Sequence, residues 1–285
     1  SRGLVDVYKR QAQTRIEVDM ISSQTPILYG AFGAYLLAVY LYLTHLYLRH
    51  PWVWRSAFVL VLTGFTLQSF CLAIRWVSAG YFPVTNLFAT QLFFSWALAA
   101  TYLYFELRYR IHAAGLFVMF CNLFLLGSTL PRNPYLPPLI PALDTPLFTL
   151  HVSLSFIGYA FFTMAFSMGV LYLTQKRLQT ELLPDLLLLR KLNEEAVFLG
   201  FSIFTLCMIF GSIWAYVAWG YYFSWNIKGV WSALLWLFYA GMCHAKFIRR
   251  WQGTGYALLS IAGFGVVLFT YLGIGLLMSS NHPLE

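Results

Sequence analysis

The sequence predicts an all-α integral membrane protein of about eight transmembrane helices, with both termini on the outer side. Three observations predict it. Of 285 residues, 60% are hydrophobic and only 10% are charged, where ordinary soluble domains carry roughly 25% charged residues. Apolar runs long enough to cross a bilayer recur along the chain. The lysines and arginines fall in alternate connecting segments.

A bilayer core of about 30 Å needs about 20 apolar residues per helix. Such runs lie at 27–48, 56–77, 86–107, 112–130, 147–174, 196–217, 230–249 and 255–278. The opening stretch SRGLVDVYKRQ differs in character from all that follows and resembles adapter-derived read-through. Residues 1–19 are therefore expected to be an N-terminal extension, with Met20 as the start of one membrane domain, 20–285.

Eleven basic residues fall in one set of alternate connections: Arg49, Arg55, Arg108, Arg110, Lys176, Arg177, Arg190, Lys191, Lys246, Arg249 and Arg250. Only Arg75, Arg132 and Lys228 fall in the other. By the positive-inside rule the first set faces the cytoplasm. The net charge of +8 is thus topology, and a nucleic-acid partner is not expected; membrane lipid is. Cys71, Cys121, Cys207 and Cys243 all lie inside apolar runs with no C-x-x-C spacing, which argues against a disulfide framework, a zinc site or a thiol oxidoreductase. Few carboxylates enter the runs: Glu106 and Glu194 sit at helix ends, too few for an ion or solute pathway.

Two connections on the sparsely charged side stand out. PRNPYLPPLIPALDTP, 131–146, holds six of the eleven prolines and reads as a stiff, irregular cover. WGYYFSWNIKGVW, 219–231, combines Trp219, Tyr221, Tyr222, Phe223, Trp225 and Trp231 with Asn226, Lys228 and two glycines, which no lipid span would contain. It reads either as part of an interfacial aromatic belt or as a platform for a planar ligand. On the basic side, the segment after Pro184 reads as a short interfacial helix.

Depth sorts the six histidines. His151, at the outer entrance of the fifth run, and His282, beyond the outer end of the eighth, are level with the aromatic segment. Each alone reads as a hydrogen-bonded interface residue or as a ligand. Together, two imidazoles bracketing a tryptophan-rich loop suit a flat macrocycle whose metal takes one axial ligand on each side. His244 lies about 20 Å below that surface at 1.5 Å per residue, within hydrocarbon, where an ionisable side chain marks a functional site. His45 is at similar depth, either its partner or a polar contact between helices. His50 and His112 read as interfacial cations.

The stretch GSIWAYVAWGYYFSWNIKGVWSALLWLFYAGMCH resembles the tryptophan-rich signature of the WWD-domain haem-handling proteins, and among them the CcsA/ResC-type cytochrome c biogenesis family. Gly211, Trp214, Ala215, Trp219, Gly220, Tyr222, Trp225, Lys228 and Trp231 fall in register, and the spacing to His244 fits. LIPALDTPLFTLHVSLSFIGYAFF, leading into His151, GFGVVLFTYLGIGLLMSSNH, ending at His282, and RWVSAGYFPVTNLFATQLFFSW are similar to other segments of that family. The resemblance implies haem b held against the outer loop of 211–231 by Trp214, Trp219, Gly220, Tyr222, Trp225 and Trp231, with His151 and His282 as axial ligands. It implies an internal haem site at His244, a ResB/CcsB-type partner subunit, and presentation of haem for thioether attachment to apocytochrome c. That activity would be of the haem lyase (holocytochrome c synthase) type, at the plasma (inner) membrane with the loop facing the periplasm.

The chain departs from the pattern at Phe223 for tryptophan, Asn226 for aspartate, Ile227 for proline, Gly229 for glutamate, Tyr81 for histidine and Ala89 for glutamate. An alternative is therefore a divergent, non-catalytic subunit or assembly factor of the same fold.

Overall fold

The computed structural model describes residues 2–273, with side chains described from Gln24 onward. His282 lies outside the described residues. Within them the chain forms α1 (Arg2–Leu48), α2 (Pro51–Ala79), α3 (Leu87–Tyr109), α4 (His112–Gly127), α5 (Pro146–Leu178), α6 (Leu186–Trp219), α7 (Ile227–Ala245) and α8 (Thr254–Leu268), with no strand.

Local chemistry sets where the helices begin. Asn86, Thr145, Asp185 and Asn226 each occupy an N-cap and accept a hydrogen bond from an amide of the first turn, and Pro51 and Pro146 take the first helical position. As far as they are described, the eight apolar runs fall in helices, but among the described residues only six helices are long and apolar enough to cross a membrane by themselves. α4 has 16 residues, too short a rod, and α7 has 19. Lys228 and His244, near its two ends, lower the mean hydropathy of α7.

The short helix expected after Pro184 is not separate. It is the first turns of α6, one helix of 34 residues. No glycine or proline interrupts 186–199, and the polar residues there find partners: Arg190 Nε bonds Glu194 at 2.8 Å, Glu195 accepts from the Tyr109 hydroxyl, and Asn193 Oδ1 accepts from Ser260 at 2.7 Å.

The helices pack as two four-helix groups, α1–α4 and α5–α8, joined chiefly where α3 lies along α5. A buried chain of hydrogen bonds holds the first group: Tyr35 to Gln68 at 2.6 Å, Gln68 to Ser95 at 2.9 Å, Ser95 to Asn122 at 2.8 Å. Such bonds hold helices together where lipid offers no hydrophobic drive. Aromatic stacking centres the second group, with Phe162 and Tyr239 rings 3.5 Å apart and 6° from parallel.

Successive helices run in opposite directions, so the connections collect at two ends. At one end lie the 49–50, 110–111, 179–185 and 246–253 turns with the eleven basic residues, cross-tied by Lys176 to Thr254 at 2.6 Å and Arg49 to Glu181 at 3.9 Å. At the other lie 80–86, 128–145 and 220–226, which carry the aromatic segment. Tyr81 donates to the Pro137 carbonyl at 2.6 Å, where the resemblance led to a histidine, and Asn86 donates to the Tyr135 carbonyl at 3.1 Å. The proline-rich segment is irregular apart from one short turn, Pro141–Leu143, as its composition predicts.

Candidate functional site at the aromatic end

His151 stands in the second turn of α5 and faces α6. Its Nδ1 lies 3.0 Å from the carbonyl oxygen of Cys207 and 3.4 Å from the Cys207 sulfur. A carbonyl only accepts, so Nδ1 carries the proton and the lone pair of the neutral ring is on Nε2. This is the arrangement by which a histidine is oriented for ligation: one nitrogen anchored, the other presented. The approach is close because residue 211 has no side chain. A Cβ there would lie 2.4 Å from His151 Nδ1.

One turn further along α6, Trp214 lies nearly parallel to the imidazole, with centroids 6.1 Å apart and planes at 18°. Its indole nitrogen donates to the Ala142 carbonyl at 2.9 Å, pinning the proline-rich segment beside His151, and its ring meets Phe148 at 5.1 Å and Trp219 at 4.7 Å. An aromatic wall thus continues from the histidine to the helix end.

There Gly220, in the left-handed region at φ 81°, stops α6 and donates its amide to the Tyr216 carbonyl. The loop then folds back: Ser212 donates to the Tyr222 carbonyl at 2.9 Å, and the Tyr222 ring stacks on Tyr216 at 4.4 Å. Trp225 projects outward, 86% exposed, and Trp219, Tyr221 and Tyr222 are about half exposed. Trp231, in the first turns of α7, packs instead against Phe269 at 4.5 Å. It supports the platform from below rather than forming its face.

The departures at 226 and 229 have a local explanation. Asn226 Oδ1 accepts from the Gly229 amide at 2.7 Å and so caps α7, the role an aspartate would fill equally well. Gly229 lets the loop close: a Cβ there would lie 2.3 Å from the Ser224 carbonyl. The two substitutions belong to one tight turn.

His244 is elsewhere. It lies in the last turn of α7 at the basic end, roughly 25 Å along the helix from Ile227 at 1.5 Å per residue. The sequence reading puts it deep in its span, toward the cytoplasmic side; its side chain is exposed on the surface of the bundle, beside a groove of about 360 Å³ lined by Leu237, Gly241, Ile248 and Trp251. Its Nδ1 bonds the Ala240 carbonyl at 2.9 Å. His45 is not its partner. His45 lies beside His112, ring centroids 6.5 Å apart, and among the described residues no third metal-binding side chain joins them. His50 caps α2 through the Trp52 amide, and His112 pairs with Glu106 and stacks on Trp54. Glu106, expected only at a helix end, is buried.

The structure therefore gathers His151, Trp214, Trp219, Gly220, Tyr222 and Trp225 at one end, sets Trp231 beneath them and separates His244. What the sequence could not supply is the Cys207 carbonyl. A backbone oxygen 56 residues away leaves no signature in residue type.

Comparison with known proteins follows the same outline. Residues 84–282 match the family model for cytochrome c assembly proteins. The chain is 30% identical over 238 residues to the cytochrome c biogenesis protein CcsA of Guillardia theta, covering 74% of this chain and 79% of that one. It is 29% identical over 279 residues to CcsA of Synechococcus elongatus, covering 77% and 85%. Its fold is similar to that of the cytochrome c haem lyase CcmF, with a TM-score of 0.66 at 16% identity. That likeness covers 89% of this chain but 47% of the CcmF chain, so the chain spans about half of that protein.

Proposed function

The chain belongs to the cytochrome c assembly protein family, as a multi-pass membrane protein of cytochrome c biogenesis, and from that premise we propose that its aromatic end binds haem b and presents it to apocytochrome c. The observation that carries this reading is His151, with Nδ1 tied to the Cys207 carbonyl and Nε2 left to ligate beside the Trp214 wall. The donor set suits haem: an imidazole for the iron, and flat apolar rings for a flat apolar macrocycle. His282 is the proposed second histidine that would hold the iron, and bound haem would supply vinyl groups to which the thiols of a C-x-x-C-H site could add.

The chain's own share is positioning. Gly211 and the Cys207 carbonyl orient His151. Trp214 and Trp219 line the macrocycle, while exposed Trp225 and Tyr222 meet the incoming polypeptide or the haem edge. We place all eight helices across the inner membrane, with the basic end cytoplasmic, the aromatic end periplasmic and both termini outside, on the charge asymmetry between the two ends. His244, exposed at the bundle surface beside its groove, suits a haem site completed by a ResB/CcsB-type subunit rather than by this chain.

The visible spectrum of the full chain supplied with excess haem tests this. A low-spin bis-imidazole spectrum is expected. His151→Ala and His282→Ala each leave a single-histidine signature, and the two together remove the outer site. A colourless wild-type protein overturns the reading. A second reading, a family member that holds haem without attaching it, draws on the altered turn at Asn226 and Gly229. Haem binding with no covalent product on apocytochrome, even with the partner subunit present, would favour it.

A further inference from the structure

The proline-rich segment that pins Trp214 also covers a buried arginine. Arg75, near the end of α2, is fully buried, as is Gln24 of α1. One nitrogen of the guanidinium is engaged: Nη1 donates to Gln24 Oε1 at 2.9 Å and to the Pro134 carbonyl at 2.9 Å. Its Nε and Nη2, and the Nε2 of Gln24, are buried and have no hydrogen-bond partner among the described residues. The guanidinium carbon lies 4.7 Å from the centre of the Phe88 ring, which eases the charge but gives the N–H groups no acceptor. No ion pair among the described residues includes Arg75.

A charged side chain inside a membrane helix is costly and marks a pathway or a site unless it is paired. Which nitrogens are unmet identifies the missing chemistry. Nε–H and Nη2–H point the same way from one edge of the guanidinium, the fork that matches the two oxygens of a carboxylate. The third unmet group, on Gln24, is also a donor, and its amide is anchored to the same guanidinium through Oε1. Phe88 and Pro134 make the surroundings apolar, which favours a carboxylate on an apolar body over a strongly hydrated inorganic anion.

We propose that Arg75 and Gln24 form a carboxylate-binding site beneath the 131–146 segment, with the Nε/Nη2 edge of Arg75 as its bidentate donor. The site is independent of His151. The carboxylate source is either a short free acid or an acid side arm of haem, so the site stands or falls apart from the haem reading.

Thermal unfolding of the full chain in detergent, with sodium propionate against equal sodium chloride, is the first test. Propionate raises the melting temperature of the wild type and leaves Arg75→Gln unmoved; Arg75→Lys, which keeps the charge and loses the fork, retains at most a small part of the effect. Propionate acting on all three alike, or on none, overturns the proposal. The second test compares haem with its dimethyl ester. A side arm of haem in this site gives the wild type a roughly ten- to hundredfold preference for the free acid that Arg75→Lys erases. Equal binding of haem and ester, with propionate still protective, assigns the site to a free carboxylate. A chain that binds no haem sinks the haem reading and leaves the propionate result to decide this one.

Discussion

The two ends of the bundle solve the problem of polar groups at a membrane boundary in opposite ways. At the basic end the carboxylates are met by neighbouring groups, although His45 Nδ1 and the Tyr256 hydroxyl are buried with no hydrogen-bond partner among the described residues. Buried Glu106 is met by His112 and by Tyr102, whose hydroxyl lies 2.6 Å from that of Tyr42, while Arg190 meets Glu194. Two of the connections there, 49–50 and 110–111, are the shortest in the bundle among the described residues. At the aromatic end the longest connection, 128–145, covers the bundle, Trp225 and its neighbours face outward, and Arg75 keeps an unmet edge. A surface whose groups are mutually satisfied holds a fold together, and one whose groups are left over is suited to bind.

That contrast is open to direct attack. The largest effect is expected at Glu106. Glu106→Ala leaves His112 without its acidic partner, the Tyr102 hydroxyl keeping only Tyr42, and costs about 3 kcal/mol of stability, read by thermal unfolding, while protein that remains folded keeps its haem spectrum. Loss of the haem spectrum with unchanged stability would reverse the roles assigned to the two ends. Gly211→Val is the converse experiment. It pushes His151 from the Cys207 carbonyl and weakens haem binding by roughly 10–100-fold, the usual penalty for disturbing the support of a ligand, in a haem titration of folded protein. An unchanged titration would remove α6 from the site.

Smaller effects sharpen the comparison within the aromatic end. Asn226→Ala removes the α7 cap and costs about 1 kcal/mol, whereas Asn226→Asp keeps the cap and stays within about 0.5 kcal/mol of wild type. If the aspartate variant is as damaged as the alanine one, the turn does not work as described. Smallest in stability is Trp225→Ala, within about 0.5 kcal/mol because the ring is 86% exposed. Its effect is expected in transfer of haem to apocytochrome rather than in unfolding. A fully active Trp225→Ala chain would reduce that residue to a membrane-interface anchor.

Much of this was legible in residue order. The eight helical runs follow from apolar length, although the starts at Asp185 and Asn226 lie upstream of the runs read from it. Separation of the basic residues follows from alternation, and the aromatic segment declares itself by composition. Where the reading went astray, the cause was tertiary. The helix expected after Pro184 runs on into α6 instead of standing apart, where Tyr109 and Ser260, from other helices, meet its polar side chains. His244 belongs to the level predicted for it, yet only packing reveals that its ring faces outward from the bundle.

The sequence by itself determined a helical membrane protein with unlike ends, because hydropathy, caps and charge placement are properties of neighbouring residues. Tertiary structure alone decided that His151 meets the carbonyl of Cys207, that Glu106 is buried against His112, and that Arg75 is buried with one edge unmet. Each is a pairing of polar groups brought together by helix packing. In an apolar interior the cost of an unmet group depends on which neighbours arrive, and no single stretch of chain contains that information.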